Sequence, residues 1–178
     1  MNYQTLIDKY YPAGTLRRDI YMQHCQSVAK EALDIAERHH LPITHEKIMT
    51  AAMLHDIGIF LTNAPSIGCT GSEPYIRHGI LGAELLRKEG FSEEMARVAE
   101  LHTGAGLSAE EIRQQDLPLP HRDFLPETVL EKLICYADKF YSKGGDMKRK
   151  SLEKVEKSMK NFGAHTMQRF SELHDLFG

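Results

Sequence analysis

The stretch "KIMTAAMLHDIGIF", residues 47–60, is the strongest constraint in this chain. From Ile48 to Leu54 it is apolar nearly all round, and a helix without a polar face belongs in the centre of a domain. It then ends in a histidine and an aspartate, His55 and Asp56. A carboxylate buried without a partner is costly, so burial alone cannot account for the pair. The same dipeptide recurs at His174-Asp175 in "ELHDLF". The dipeptide therefore specifies nothing by itself, and its surroundings must decide.

Those surroundings read as helices. "HCQSVAKEALDIAERHH" places Cys25, Val28, Ala29, Ala32, Ile35 and Ala36 on one face. Pro42 stops that helix, and Thr44 is a cap for the next, "HEKIMTAAMLHD". Gly58 and "TNAPSIGCTGSEP" interrupt the pattern, which makes the loop from Phe60 to Pro74 the best placed lid. Helical spacing resumes from Tyr75 to Glu89 and again from Ser92 to about His102. "SAEE" at 108–111 has capping-box spacing. "QDLPLPHRDFLP" reads as a surface connection, with Pro126 starting the helix "ETVLEKLICYADKFY". From Asp146 on, charge and apolar residues alternate as one or two amphipathic helices with a solvated face. There is no strong run of alternating β-branched residues, no internal repeat and no linker. The expectation is an all-α fold, a single compact helical domain with its core over about 20–142 and a helical extension over about 146–178.

Composition removes several classes of function. A chain of 178 residues can bury a real core. A net charge of -3 gives no electrostatic footprint for nucleic acid. No apolar run approaches the roughly 18 residues of a membrane span, and "MNYQTLIDKYYP" lacks the basic start and apolar stretch of a secretory signal. Cys25, Cys69 and Cys135 are odd in number and far apart, which suits a reducing compartment. A cytoplasmic protein with no nucleic-acid or membrane partner is expected.

The polar residues then fall into a pattern. His24 shares the face of Val28 and Ala32; His55 follows Ala51 by four and Ile48 by seven. His78 lies on the stripe of Leu81 and Leu85, and His102 on that of Val98 and Met95. Asp138 follows Ile134 by four and Leu130 by eight. Any one of these histidines could be a hydrogen-bonded core residue. Four histidines and two aspartates projecting from five helices into apolar interiors satisfy one another best around a divalent metal. The remaining histidines, His39, His40, His45, His121, His165 and His174, sit in helix ends, loops or charged segments and read as solvated.

The order His24, His55-Asp56, His78, His102, Asp138 resembles the HD superfamily of metal-dependent phosphohydrolases. "MLHDIG" is similar to its HDIG signature, and "HGILGAELLRKEGF", "LHTGAG" and "EKLICYADKFY" extend the likeness over roughly residues 20–142. The subgroup with a second-metal histidine pair, which includes the symmetrical diadenosine tetraphosphate hydrolases, looks most similar. The resemblance implies that His24, His55, Asp56 and Asp138 hold one metal and that His78 and His102 hold a second, with Asp56 bridging. His55 and Asp56 would then be catalytic, and a metal-activated hydroxide would hydrolyse a nucleotide or dinucleoside polyphosphate. Imidazole and carboxylate together suit manganese, iron or another first-row ion, one or two per chain, with magnesium admissible. Many members carry a lysine two residues after the glycine of the dyad motif, where this chain has Ile59 directly after Gly58. A phosphate-binding cation must come from elsewhere. Arg77 and Lys139 are the substrate-binding residues expected, with Arg17, Arg18 and Lys143 nearby, each weighed against an ordinary solvated side chain. A homodimer is allowed for. The alternative is a metal-binding sensor or interaction domain of the same fold that performs no chemistry.

Overall fold

The computed structural model describes residues 2–178. Nine helices form the fold among them: α1 (Tyr3–Tyr10), α2 (Leu16–Arg38), α3 (His45–Leu54), α4 (His78–Lys88), α5 (Glu93–Leu101), α6 (Ala109–Gln114), α7 (Val129–Asp138), α8 (Leu152–Asn161) and α9 (Ala164–Phe177). The all-α expectation holds. Side-chain oxygens fix the helix starts: Thr15, Thr44, Ser92 and Ser151 each accept a backbone N–H from the first turn. Ser108 and Thr128 form full capping boxes with Glu111 and Glu131.

As its apolar circumference demands, α3 is central and touches α1, α2, α5 and α7. Its Ile48, Ala51, Ala52, Met53 and Leu54 are buried. One large core runs from Leu6 in α1 to Phe177 in α9, and α8 and α9 contribute Val155, Met159, Phe170 and Leu173 to it. A smaller core joins Ile80, Leu101, Ile112, Leu119 and Phe124.

Several sequence expectations change. Helix α1 was unmarked in the sequence, and α2 starts at Leu16, so Arg17 and Arg18 lie in its first turn and not ahead of the first helix. Arg18 is engaged there, donating to the Tyr11 carbonyl and to Asp8. Pro126 does not start α7; Thr128 caps it two residues later, and α7 ends at Asp138, before "KFY". The connection 115–126 is more than surface, because Leu119 and Phe124 are buried and Leu107 pairs with Phe124. The expected lid loop contains a two-residue ribbon, β1 (Asn63–Ala64) paired antiparallel with β2 (Cys69–Thr70). Its turn is closed by Gly68 at φ +74°, a left-handed conformation that glycine adopts without strain.

Close backbone approach sets the site. A methyl on Gly58 would run into the His78 carbonyl and the Gly82 amide, and one on Gly79 would lie 2.7 Å from the Ala99 carbonyl. Glycine at 58, 79 and 82 thus lets the turn after α3, α4 and α5 meet backbone to backbone. That packing carries His78 and His102 within reach of Asp56.

Candidate metal centre

The six residues expected as ligands converge and are buried. They fall into two sets. His24, His55, Asp56 and Asp138 form one, and Asp56, His78 and His102 the other. In the first set, His24 Nε2 lies 3.1 Å from Asp56 Oδ2, 3.0 Å from Asp138 Oδ1 and 3.3 Å from His55 Nε2. His55 Nε2 lies 3.2 Å from Asp56 Oδ2 and 3.5 Å from Asp138 Oδ1. In the second, His78 and His102 Nε2 are 3.0 Å apart and lie 3.4 and 3.3 Å from Asp56 Oδ1. Asp56 therefore turns one oxygen to each set.

The helix geometry fixes the ring tautomers. His55 Nδ1 is 2.6 Å from the Ala52 carbonyl, His78 Nδ1 2.7 Å from that of Tyr75, and His102 Nδ1 2.8 Å from that of Ala99. Each contact runs to the residue three earlier, and a carbonyl only accepts, so each Nδ1 carries the hydrogen. Nε2 of each ring then faces the cluster. Burial, reinforced by His102, holds His78 down at about 3, and burial also lowers His102, so this pair is neutral. Two lone pairs opposed at 3.0 Å call for a cation between them. Neither Asp56 oxygen accepts a hydrogen bond, and His24 Nδ1 is also unpartnered. The separations agree with a metal: donors about 2.1 Å from one centre sit about 3.0 Å apart in an octahedron and about 3.4 Å in a tetrahedron. The donor set fits one or two divalent ions.

Charge is balanced locally. Burial would raise Asp56 and Asp138, but Lys143 with His55 holds the first, and Lys139 with His24 the second, well below the usual carboxylate range. Burial would lower His55, yet Asp56 and Asp138 carry it well above the usual imidazole value. Lys143 Nζ forms an ion pair with Asp56 Oδ2 at 2.7 Å. Lys139 Nζ lies 2.7 Å from Asp138 Oδ2 and donates to the His102 carbonyl at 3.0 Å.

The cations expected at the substrate are thus redistributed. Lys139 is buried and joins α7 to the end of α5, and Arg77 pairs with Glu73 at 3.2 Å. Lys143 is no solvated side chain: together with Tyr75, Asn63–Ile67 and Gly144 it lines a cleft of about 430 Å³, and its Nζ links that cleft to Asp56. The expected lid loop thus forms one wall of that cleft. Nor is His174 solvated, since its Nδ1 lies 2.7 Å from the Tyr136 hydroxyl on α7. Sequence reasoning missed Tyr11, whose hydroxyl donates to the Ile57 carbonyl and accepts from the Phe60 amide, clasping the turn after the dyad. "YYP" carries no pattern that announces this.

An all-helical domain with a buried histidine–aspartate cluster able to hold divalent metal is the class that fold and site define. The HD domain family matches residues 21–142, and the chain belongs to it. Its domain is in general that of metal-dependent phosphohydrolases. The chain is 36% identical over 124 residues to a tRNA (cytidine(56)-2'-O)-methyltransferase of Picrophilus torridus, covering 70% of this chain and 32% of that protein. It is 36% identical over 120 residues to an uncharacterised protein of Methanocaldococcus jannaschii, covering 66% and 63%. With a tRNA (cytidine(56)-2'-O)-methyltransferase of Thermoplasma volcanium it shares 29% over 171 residues, covering 96% and 45%. The chain thus spans 32% to 63% of these relatives' lengths. No solved structure matches it. Among the described residues, no helix is long and apolar enough to cross a membrane.

Proposed function

We propose that this protein is a phosphohydrolase that acts on a small phosphate compound, a nucleotide or dinucleoside polyphosphate, with one or two divalent metals as cofactor. The observation that carries the reading is Asp56, which presents Oδ2 to one ligand set and Oδ1 to the other. His24, His55, Asp56 and Asp138 would hold one ion, and His78, His102 and Asp56 the second. Imidazole-rich ligation favours manganese, iron or another first-row metal over magnesium. When bound, such ions supply Lewis acidity and an activated water for attack on phosphorus.

The chain's own part is positional and electrostatic. The Ala52, Tyr75 and Ala99 carbonyls hold three rings with Nε2 inward, so little reorganisation attends binding. Lys139 fixes Asp138 from behind, and Tyr11 holds the turn that aims Asp56. The cleft beside Tyr75 and Lys143 admits a phosphate and the group it carries.

Elemental analysis followed by a phosphate-release screen tests this. Hydrolysis should vanish with a chelator and return with a divalent ion. Inactivity on mono-, di- and dinucleoside polyphosphates with manganese, iron, cobalt and magnesium would favour the metal-binding sensor instead. Two relatives named as tRNA methyltransferases favour a second reading, a domain that works beside an RNA-modifying enzyme. The net charge of -3 argues that this chain would not itself grip the RNA.

A further inference from the structure

Three cations beside the cluster's residues, Lys139, Arg77 and Lys143, differ in what they can do. Lys139 is locked between Asp138 and the His102 carbonyl. Arg77 pairs with Glu73 at 3.2 Å without a hydrogen bond from its Nε, and it does not line the cleft. Lys143 alone of these reaches from the cluster to the cleft: its side chain is 16% exposed, its Nζ is 2.7 Å from Asp56 Oδ2, and it lines the cleft with Tyr75 and Gly144. It stands in the turn after α7, followed by Gly144 and Gly145, around which nothing lies within 4 Å of where a side chain would begin. Its four-carbon stem and this open backbone leave it free to swing.

We infer that Lys143 is an exchangeable anchor: it holds Asp56 in the metal-free protein and a non-bridging oxygen of a substrate phosphate in the loaded one. The inference rests on the hydrolase reading and adds to it the residue that would grip the substrate's phosphate. A metal on each Asp56 oxygen makes Nζ a third cation at one carboxylate, and like charges in a buried site repel strongly. The open direction for Lys143 is the cleft. An ammonium moved there needs an anion, and a phosphate docked over the cluster supplies it.

The test compares wild type, Lys143→Met and Lys143→Arg by calorimetry, titrating manganese into metal-free protein and then inorganic phosphate into the manganese-loaded protein. Lys143→Met should bind manganese more tightly, since a competing cation is gone. It should bind phosphate about tenfold more weakly, the loss of one charge-assisted hydrogen bond. Lys143→Arg should keep most of the phosphate affinity. Should Lys143→Met fold poorly, Lys143→Gln carries the same comparison. Phosphate affinity indifferent to residue 143, or manganese affinity that falls when the lysine is removed, overturns the anchor. A wild-type protein that takes up no manganese overturns the metal reading beneath it.

Discussion

His55 and His174 share a neighbour of each kind, leucine before and aspartate after, yet they sit in different chemistry. His55 lies between two buried carboxylates, and removing it leaves Asp56 and Asp138 short of positive charge. His55→Ala should lose metal and cost about 3 to 5 kcal/mol, the range for breaking a buried charge network. His174→Ala removes one hydrogen bond to Tyr136 and should cost about 1 kcal/mol with metal content intact. Elemental analysis and thermal melting of the two variants side by side check this, and equal effects would misplace the site. Proton linkage supplies a second prediction at this scale. The neighbouring carboxylates raise His55, so the ring is charged at neutral pH in the metal-free protein, whereas a ligand must be neutral. Manganese binding should therefore release protons at pH 7 and tighten as pH rises. Calorimetry in two buffers of different ionisation enthalpy reads the release; zero release contradicts it. The six candidate ligands were legible in the sequence because five of them are polar residues on apolar helical stripes and the sixth, Asp56, follows His55 directly. The role of Lys143 was not, because it lies beyond the end of α7, where helical periodicity says nothing about direction.

Among the elements, the crossing of α4 over the turn after α3 is the most exacting. Gly58→Ala would push a methyl into the His78 carbonyl and the Gly82 amide, and overpacking of this kind costs about 1 to 3 kcal/mol. Because α4 carries His78, the variant should lose the second ion first, which metal stoichiometry would show as a fall towards one per chain. Retention of both ions at wild-type stability would mean that the glycine contact does not position the pair. The sequence marked Gly58 only as a helix breaker, since the partner backbone is twenty residues away and no local pattern reveals it. The same holds for α9, read only as part of an amphipathic extension. Its Arg169 donates to both Glu111 oxygens at 2.8 Å and to the Ala105 and Gly106 carbonyls. Burial would raise Glu111, but Arg169 and the Ser108 amide hold it below its usual value. A lowered carboxyl stabilises above its unfolded pKa, near 4.5, and that stability is lost as pH falls through the folded value. Glu111→Gln should thus lower the melting temperature at pH 7 and flatten its decline below about pH 4.5. An unchanged acid profile would exclude the pair as the fastener of α9.

For the whole molecule, an apolar scaffold delivers four imidazoles and two carboxylates to one point, and α3 does most to specify it. Its unbroken apolar surface forces it to the centre, so whatever follows Leu54 must also be interior. The helical class and the candidate ligand set were visible without coordinates. The cleft was not, because its walls come from the 63–67 ribbon segment and the turn at 143–144, which meet only in three dimensions. On the proposed function, Asp56 joins two ions in one cluster. Manganese-loaded protein examined by electron paramagnetic resonance at increasing metal ratio tests it directly. Two ions sharing a carboxylate should give an exchange-coupled spectrum that saturates at two manganese per chain and that His78→Ala converts to an isolated-ion signal. A spectrum of isolated manganese alone, saturating at one per chain in the wild type, would contradict the account.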